Sequence, residues 1–416
     1  MDGSAENSSP AQTDALADRV DAVLAGVDAR LAATYPGDPA GRRPVHTVYV
    51  PADRFDAGTL AAWGQAARAA FDEHAPTAAD VAEIWELDPA LAGAVRERVV
   101  RKLAVEPVED VRIDLEDGYG ARPDAQEDSD AVRSVAALGV TPFCGVRLRS
   151  FEAPTRRRGL RTLALVVGAL APRLPDGFVL TLPKVTAVEQ VAALVTVLGE
   201  LERAHGLTAG ALRFEIQVET PQSVIGPDGV CPLPRMIAAA EGRCTGLHYG
   251  TYDYSASLGI AAAYQSMEHP AADHAKAVMQ VAAAGTGVRL SDGSTNVLPV
   301  GGRDAVRAAW RLHGRLVRRS LERGFYQGWD LHPAQLPSRH VACAAFYREG
   351  FPAAAARLLA YRERRDAGFL DEPATAVALA GFLRGGLDCG ALDDAEVAAT
   401  AGADRAALAV LARRAR

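Results

Sequence analysis

The chain has 416 residues, of which 49% are hydrophobic and 23% charged, and its formal net charge at pH 7 is -7. This composition excludes a disordered or fibrous protein and is typical of a globular protein with a large core. A chain with this acidic balance is not expected to be a general nucleic-acid binder. No run of eighteen apolar residues lacks charges or helix breakers, which excludes a transmembrane helix.

The chain begins with a polar, acidic segment, which predicts a disordered tail over residues 1–14. Apolar residues at helical spacing follow, and a stretch rich in proline and glycine comes next, so residues 15–45 are predicted to form a helix and a linker. The tail lacks the basic start and apolar run of a signal peptide, and we therefore expect a cytoplasmic protein.

From residue 46 onward, short apolar runs alternate with longer helical patterns. The runs are HTVYV (46–50), VRIDL (111–115), CGVRL (144–148), FVLTL (178–182), RFEIQV (213–218), GLHYG (246–250), NVLPV (296–300) and WDLH (329–332). Most lack strict alternation, which suits strands buried on both faces of a parallel sheet. Eight such units predict an α/β fold, a (β/α)8 TIM barrel over residues 46–345 that forms the catalytic domain. Residues 346–416 are alanine-rich and predict a helical C-terminal appendage.

A doubly wound open sheet is the alternative fold. Such a sheet usually has a glycine-rich phosphate turn after its first strand, and the segment VYVPADRF has none.

Polar residues follow most of the predicted strands. They are Asp114, Glu116 and Asp117; Arg147 and Arg149; Lys184; Glu219 and Thr220; Asp253; and His332. In a barrel, catalytic residues lie at the C-terminal ends of the strands. We therefore expect these carboxylates, cations and the imidazole to meet in one bowl.

Seven motifs resemble, in order, those of the HpcH/HpaI aldolase and citrate lyase β-subunit superfamily, which includes malyl-CoA lyase-like proteins. They are VYVPAD, VRIDLEDGYG, GVRLR, TLPKV, QVETPQSV, GTYDYSASLG and GFYQGWDLHPAQ, and they cover roughly residues 46–340. The resemblance implies a TIM barrel, a homo-oligomer and a divalent cation, Mg²⁺ or Mn²⁺. It also implies a carbon–carbon lyase that cleaves or forms a hydroxy acid or hydroxyacyl-CoA through a metal-stabilised enolate.

The small-molecule partner implied by the resemblance is an oxo or hydroxy acid, with a glyoxylate- or pyruvate-like acid as one product and a coenzyme A thioester as a possible substrate. Two other functions stay open. One is a hydrolase or phosphotransfer enzyme of the same superfamily acting on an enolpyruvate-like acid or acyl-CoA. The other is a non-catalytic binding subunit.

The resemblance implies that Glu219 and Asp253 are the metal ligands. The chemistry agrees, because Mg²⁺ prefers a few carboxylate oxygens and keeps other positions for water and substrate. The alternative is that both carboxylates pair with arginines at the mouth of the barrel.

Arg147 is predicted to bind the substrate carboxylate or the oxygen of the developing enolate. The alternative is an ion pair with Asp114 or Glu116. Arg149 stands where the superfamily has asparagine. Strand alternation places it on the same face as Arg147, which would add a second carboxylate to the substrate. Otherwise Arg149 points outward.

Of the crowded carboxylates, Glu116 and Asp117 are predicted to assist proton transfer or hold metal-bound water, and Asp114 to help bind the substrate. Lys184 is predicted to act near the site without a covalent bond, with a Schiff base as the alternative. Thr220 and His332 are predicted to bind substrate, and a purely structural histidine is equally compatible with the sequence.

Overall fold

The computed structural model describes residues 10–39, 41–139, 141, 143–363 and 372–412. Strands in these residues are β1 His46–Pro51, β2 Asp110–Asp114, β3 Phe143–Arg147, β4 Phe178–Leu182, β5 Arg213–Val218, β6 Cys244–Tyr249, β7 Arg289–Ser291 and β8 Gly328–Asp330. They pair in parallel in the order β7-β6-β5-β4-β3-β2-β1-β8. A parallel bridge between Ser291 and Gln327 joins the two outer strands. The fold is thus the predicted (β/α)8 TIM barrel.

Helices follow or flank every strand. They are α1 Pro10–Thr34, α2 Thr59–His74, α3 Ala78–Trp85, α4 Pro89–Val105, α5 Asp124–Ala136, α6 Arg156–Leu170, α7 Val188–Ala204, α8 Pro221–Val224, α9 Leu233–Ala239, α10 Thr251–Ser257, α11 Pro270–Ala283, α12 Arg303–Glu322, α13 Leu336–Arg362, α14 Pro373–Asp388, α15 Asp394–Ala401 and α16 Arg405–Leu411. In the described part of the chain, none of them is long and apolar enough to cross a membrane.

The inside of the barrel is polar and is held by a buried charge pair. Arg112 on β2 donates two hydrogen bonds to Glu215 on β5, at 2.9 and 2.8 Å. Thr181 and His248 also contact Glu215, at 2.6 and 3.0 Å. Gly145 leaves room for this pair, since a Cβ there would lie 3.1 Å from Cδ of Arg112 and 1.8 Å from a β4 carbonyl oxygen. A buried charge needs such partners to be tolerated.

Seven of the eight predicted strands lie within two residues of an observed strand. The seventh prediction was wrong, because β7 is Arg289–Ser291 and residues 296–300 form neither helix nor strand. Pro299 has no N–H for a ladder hydrogen bond. The segment before it is held instead by α10, as described below.

The N-terminal helix α1 begins at Pro10, inside the segment expected to be a disordered tail, whose residues 1–9 lie outside the described part of the chain. At the other end, α13 runs through the predicted junction between barrel and appendage and packs against α4, α12 and α14. An ion pair at 2.5 Å between Arg98 of α4 and Asp393, the residue before α15, connects the C-terminal helices to α4.

Candidate active site

Arg147 lies at the C-terminal end of β3, where Asp114 of β2 fixes its orientation. Its Nε and Nη2 atoms donate to the two carboxylate oxygens of Asp114, at 2.7 and 2.6 Å. Asp114 also accepts hydrogen bonds from the backbone N–H groups of Glu116 and Gly118. The ion pair that the sequence offered as the alternative is therefore present, and it leaves Nη1 of Arg147 unused by Asp114. Both side chains are buried, so the two-pronged bond holds the guanidinium in one position.

The third nitrogen of that guanidinium faces Glu116, with Nη1 3.3 Å from Oε2. On its other side, Glu116 accepts a hydrogen bond from Nζ of Lys184 at 2.6 Å. Burial raises the pKa of Glu116, and the two cations only partly offset this. Glu116 is thus a buried carboxyl held between an arginine and a lysine.

Lys184 follows β4 and joins three carboxylates. Its ammonium lies 2.6 Å from Glu116, 2.7 Å from Asp117 and 3.5 Å from Asp253. Its backbone has a φ of 51°, in the left-handed region that a lysine rarely adopts. Burial lowers the pKa of Lys184, but Glu116 and Glu219 outweigh it and hold that pKa above its ordinary value. The side chain is therefore an ammonium ion near neutral pH.

Glu219 follows β5 and is almost completely buried at the mouth of the barrel. Its Oε1 atom accepts the backbone N–H of Lys184 at 2.8 Å. Gly250 lies against its other oxygen, and a Cβ there would be 2.4 Å from Oε2. Burial, with help from Asp253 and Glu116, raises the pKa of Glu219 to about 8. A shift of this kind indicates a buried carboxylate whose negative charge is only partly compensated by nearby positive charge.

Asp253 lies in the first turn of α10, with its carboxylate partly open to solvent. In the described part of the chain, no three His, Cys, Asp or Glu side chains are grouped so that they could hold a metal ion. The donor set nevertheless fits Mg²⁺, which proteins usually bind through one or two carboxylates with water in the other positions. A buried carboxylate with a raised pKa beside an accessible one is consistent with that fit.

Arg149, expected beside Arg147, is placed elsewhere. Strand β3 ends at Arg147, so the alternation of faces does not continue to residue 149. The side chain of Arg149 instead donates to Glu127 of α5, at 2.6 and 2.9 Å, and to the carbonyl oxygen of Gly120. The alternative, that it points away from the bowl, is the one that matches this geometry.

Thr220 and His332 both act as helix caps. Thr220 donates to the carbonyl oxygen of Val185 at 2.5 Å and accepts the N–H of Ser223. Nδ1 of His332 accepts the N–H of Ala334 at 3.1 Å, which leaves Nε2 for another partner. Burial lowers the pKa of His332, so its imidazole is neutral at pH 7. Of the two, His332 keeps a free polar atom for a substrate.

Two buried side chains beneath the carboxylates were missed by the sequence analysis. Tyr49 of β1 lies under Arg147, with the guanidinium carbon 4.8 Å from the ring centre. Gln217 of β5 is two residues before Glu219 and fully buried. Neither the Tyr49 hydroxyl nor either amide atom of Gln217 has a hydrogen-bond partner among the described residues. Such buried, unpaired groups point to a bound molecule or water. The feature of the sequence that could have revealed Tyr49 and Gln217 is that each alternates with apolar residues inside a predicted strand.

The segment after β7 was also missed. The N–H of Ser294 donates to Oγ1 of Thr251 at 3.3 Å, and the N–H of Asn296 donates to the hydroxyl of Tyr252 at 2.5 Å. These bonds place residues 292–296 against the first turn of α10, beside Asp253. The feature of the sequence that could have revealed this loop is the run SDGST, whose residue types are typical of turns.

The arginine cluster at the start of α6 is mostly used inside the protein. Arg158 and Arg161 both pair with Asp128 of α5, Arg161 at 2.5 Å. Arg156 donates to the carbonyl oxygen of Phe151. These contacts fasten the start of α6 to α5 and to the segment before it.

Comparisons with known proteins agree with this picture. A family described as "Domain of unknown function (DUF6986)" matches residues 24–416. An L-malyl-CoA/beta-methylmalyl-CoA lyase from Haloarcula marismortui is 32% identical over 108 residues, or 26% of this chain and 29% of that protein. The match thus spans less than a third of that relative's length.

Among solved structures, a citrate lyase from Burkholderia xenovorans LB400 superimposes with a TM-score of 0.56 at 19% identity, covering 85% of this chain and 99% of that one. This match confirms the barrel fold. The malyl-CoA lyase match confirms the superfamily resemblance that the seven motifs predict.

Proposed function

The chain belongs to the DUF6986 family, and we propose that it is a divalent-cation-dependent carbon–carbon lyase. The observation that carries the proposal is the cluster at the C-terminal mouth of the barrel. There Glu219 and Asp253 lie beside Lys184, and Arg147 is fixed by Asp114. This arrangement combines carboxylates for a cation with fixed positive charge for an anion that forms during reaction.

Glu219 and Asp253 would hold the cation, which is Mg²⁺ or Mn²⁺. When bound, it would draw electron density from the oxygens of an oxo or hydroxy acid and orient that acid. The raised pKa of Glu219 supports this role, because the divalent cation would take the place of the proton that the buried carboxyl otherwise keeps.

Arg147 meets the negative charge that develops on the departing fragment. Asp114 holds it in place before the reaction, so no energy is needed to orient it in the transition state. Burial would lower the pKa of Arg147, but Asp114 outweighs it and keeps the guanidinium charged.

Glu116 moves the proton. In the cleavage direction it accepts the proton of the substrate hydroxyl group as that carbon becomes a carbonyl. The adjacent carbon–carbon bond breaks, and its electron pair passes into the carbonyl of the other fragment to give an enolate beside Arg147. The enolate then takes up a proton from water to form the second product, and Glu116 releases the proton it holds to water. Lys184 keeps Glu116 and Asp117 in place by direct hydrogen bonds.

The substrate class we propose is a hydroxy acid, free or as a coenzyme A thioester, with a glyoxylate- or pyruvate-like oxo acid as one product. The name of the Haloarcula marismortui relative supports the thioester form. The reverse reaction is an aldol or Claisen condensation.

The test is a screen of malyl, citramalyl and related hydroxyacyl thioesters and their free acids with Mg²⁺ or Mn²⁺. Release of an oxo acid is followed by its hydrazone. We expect activity that disappears with a chelator, falls in Arg147→Ala and survives in Arg149→Ala. A thioester hydrolysed without release of an oxo acid, or a phosphorylated product, would reject the lyase and favour the alternative enzyme classes.

We further propose a homo-oligomer in which α1 pairs with α1 of a second copy. Every α1 residue from 12 to 34 is exposed, yet a single helix face carries Leu16, Val20, Val23 and Val27 at the 4-3-4 spacing of a coiled coil. Arg19 and Arg30 lie along one side of this face, and Asp14, Asp21 and Asp28 lie on the part of the helix that is turned away from it. A cytoplasmic location stays a prediction.

A further inference from the structure

A cavity of about 410 Å³ lies at the N-terminal end of the barrel, opposite the candidate active site. The starts of β1 and β7, the linker before β1 and helix α14 enclose it. Its walls include Arg43, Arg289, Gln280, Tyr326, Tyr347 and Phe382. It thus combines positive charge with aromatic surface, and its volume lies in the range of small-molecule sites.

Arg289 is the unusual member of this wall. It is half-buried at the start of β7, and its guanidinium lies 6.0 Å from the ring centre of Phe143, across the barrel. Among the residues that the structure describes, no carboxylate lies within ion-pair distance of it, and no acceptor takes a hydrogen bond from it. An unpaired charge that is partly removed from water destabilises a protein unless a counter-ion is supplied.

The charged neighbours of Arg289 do not supply that counter-ion. Asp38 and Asp388 also line the cavity, but Arg43 and Arg405 engage them, at 2.7 Å each. Asp110, at the start of β2, is bonded to Arg112 and Thr47.

Other cations lie close to Arg289. Arg213, at the rim of an adjoining cavity, donates only to the carbonyl oxygen of Gly242. Burial, followed by repulsion from Arg43, lowers the pKa of Arg289 to about 10. Where the pKa of another described arginine departs from its ordinary value, that pKa is raised.

We propose that this cavity binds a small organic anion, with its phosphate or carboxylate group on Arg289 and its carbon part against Tyr347 and Phe382. The planar fork of a guanidinium suits both anions, which it binds through two parallel hydrogen bonds. Arg43 and Arg213 add attraction without direct contact. The strands between this cavity and the mouth are about 15–20 Å long, so the anion binds apart from the proposed reaction.

The test uses inorganic phosphate and succinate as probes, with calorimetry and thermal unfolding on the full chain in a chelator-containing zwitterionic buffer. The variant Arg289→Met removes the charge and keeps the volume. The matched control is Arg203→Met, an exposed arginine of α7. We expect at least one probe to bind the wild type and the control, and binding to weaken about tenfold or more in Arg289→Met.

Thermal unfolding gives a second, opposite readout. Without the probes, Arg289→Met should have a higher Tm than the wild type, because an uncompensated charge is gone. With the probes, only the wild type and the control should gain stability. Arg289→Lys, which keeps the charge but not the fork, should bind with intermediate affinity and covers the case in which the methionine variant does not fold.

Four results would overturn the proposal. They are no binding of either probe to the wild type at millimolar concentration, equal binding to Arg289→Met and the control, binding lost in Arg147→Ala but kept in Arg289→Met, and a change of oligomeric state in Arg289→Met. The third would place the anion at the mouth of the barrel. The fourth would mean that Arg289 pairs with an acidic group of a second copy.

Discussion

Arg147 and Arg149 stand two residues apart but have different partners, so the variant at Arg149 serves as a control for the variant at Arg147. Arg147→Ala should lower kcat and kcat/KM together by roughly ten- to hundred-fold, as expected for one charge-assisted contact of about 1.5–3 kcal/mol. The reason is that Arg147 faces the carboxylate cluster and meets charge that grows during reaction. Steady-state kinetics on the substrate found in the screen measures this.

Arg149→Ala should leave both kinetic constants within about twofold and lower stability instead. It leaves buried Glu127 with Arg158 and Thr162 as remaining partners, so we expect a loss of about 1–3 kcal/mol in urea unfolding. A raised KM in this variant would show that Arg149 does reach a substrate carboxylate, as the sequence first suggested.

The protonation of Glu219 should make stability depend on pH. Its pKa is raised to about 8 in the folded chain, against an ordinary value near 4.5. Its contribution to stability is therefore fully present below 4.5 and is lost as the pH rises through about 8. The Tm of chelator-treated protein should fall over that window, and added Mg²⁺ should restore it most strongly at the alkaline end.

Glu219→Gln resembles the protonated acid and should flatten this part of the Tm profile, whereas the exposed Glu200→Gln on α7 should not. If Mg²⁺ raises the Tm of Glu219→Gln as much as that of the wild type, Glu219 is not a ligand of the cation.

Lys184 should form no covalent bond with substrate. It carries three carboxylate neighbours and a raised pKa, and an ammonium ion is not a nucleophile. Borohydride reduction in the presence of substrate, followed by peptide mass spectrometry, should leave its mass unchanged. A substrate-dependent adduct on Lys184 would replace the proposed mechanism with a Schiff-base one.

At the scale of elements, the loop after β7 controls the surroundings of Asp253. A Cβ on Gly293 would lie 2.0 Å from Oγ1 of Thr251 and 3.0 Å from the carbonyl oxygen of Tyr249. Gly293→Ala should push residues 292–296 off α10 and lower kcat/KM by about tenfold or more, because Asp253 lies in that helix turn. Gly199→Ala on α7, where nothing lies within 4 Å, is the control and should be neutral or slightly stabilising.

The same loop marks the limit of what the sequence predicts. Strands such as FVLTL and RFEIQV were located to the residue because apolar β-branched and aromatic residues mark buried strands. Strand β7 has three residues, RLS, too few for a pattern, and is defined by hydrogen bonds to distant strands. The longer apolar run NVLPV was chosen in its place.

The candidate site, like the fold, was predicted only in part. The cluster of Glu116, Asp117, Lys184, Glu219 and Asp253 was predicted, because the C-terminal ends of parallel barrel strands converge. Arg149 was misplaced because the end of β3 depends on its pairing with neighbours rather than on its own letters. Gln217 was missed because a buried polar residue inside a strand gives no local sign of what it faces.

For the whole molecule, we expect α1 to set the oligomeric state. Val23→Asp places a charge at the centre of the apolar face and should lower the molar mass measured by light scattering, because a buried unpaired charge opposes association. Ala29→Asp, on the opposite face of α1, should not change it. Equal masses for the wild type and Val23→Asp would reject pairing through α1 and leave its apolar face unexplained.

The three lysines of the chain also bear on how the molecule can be handled. Lys102 pairs with Glu106 and Glu109, Lys184 with the carboxylates at the mouth, and Lys276 with Asp292, and each side chain is at most 22% exposed. Acylating dyes, biotin esters and activated resins need a neutral, accessible amine. They should therefore react slowly with all three lysines. Labelling by such reagents should accordingly leave the carboxylate cluster at the mouth of the barrel unmodified.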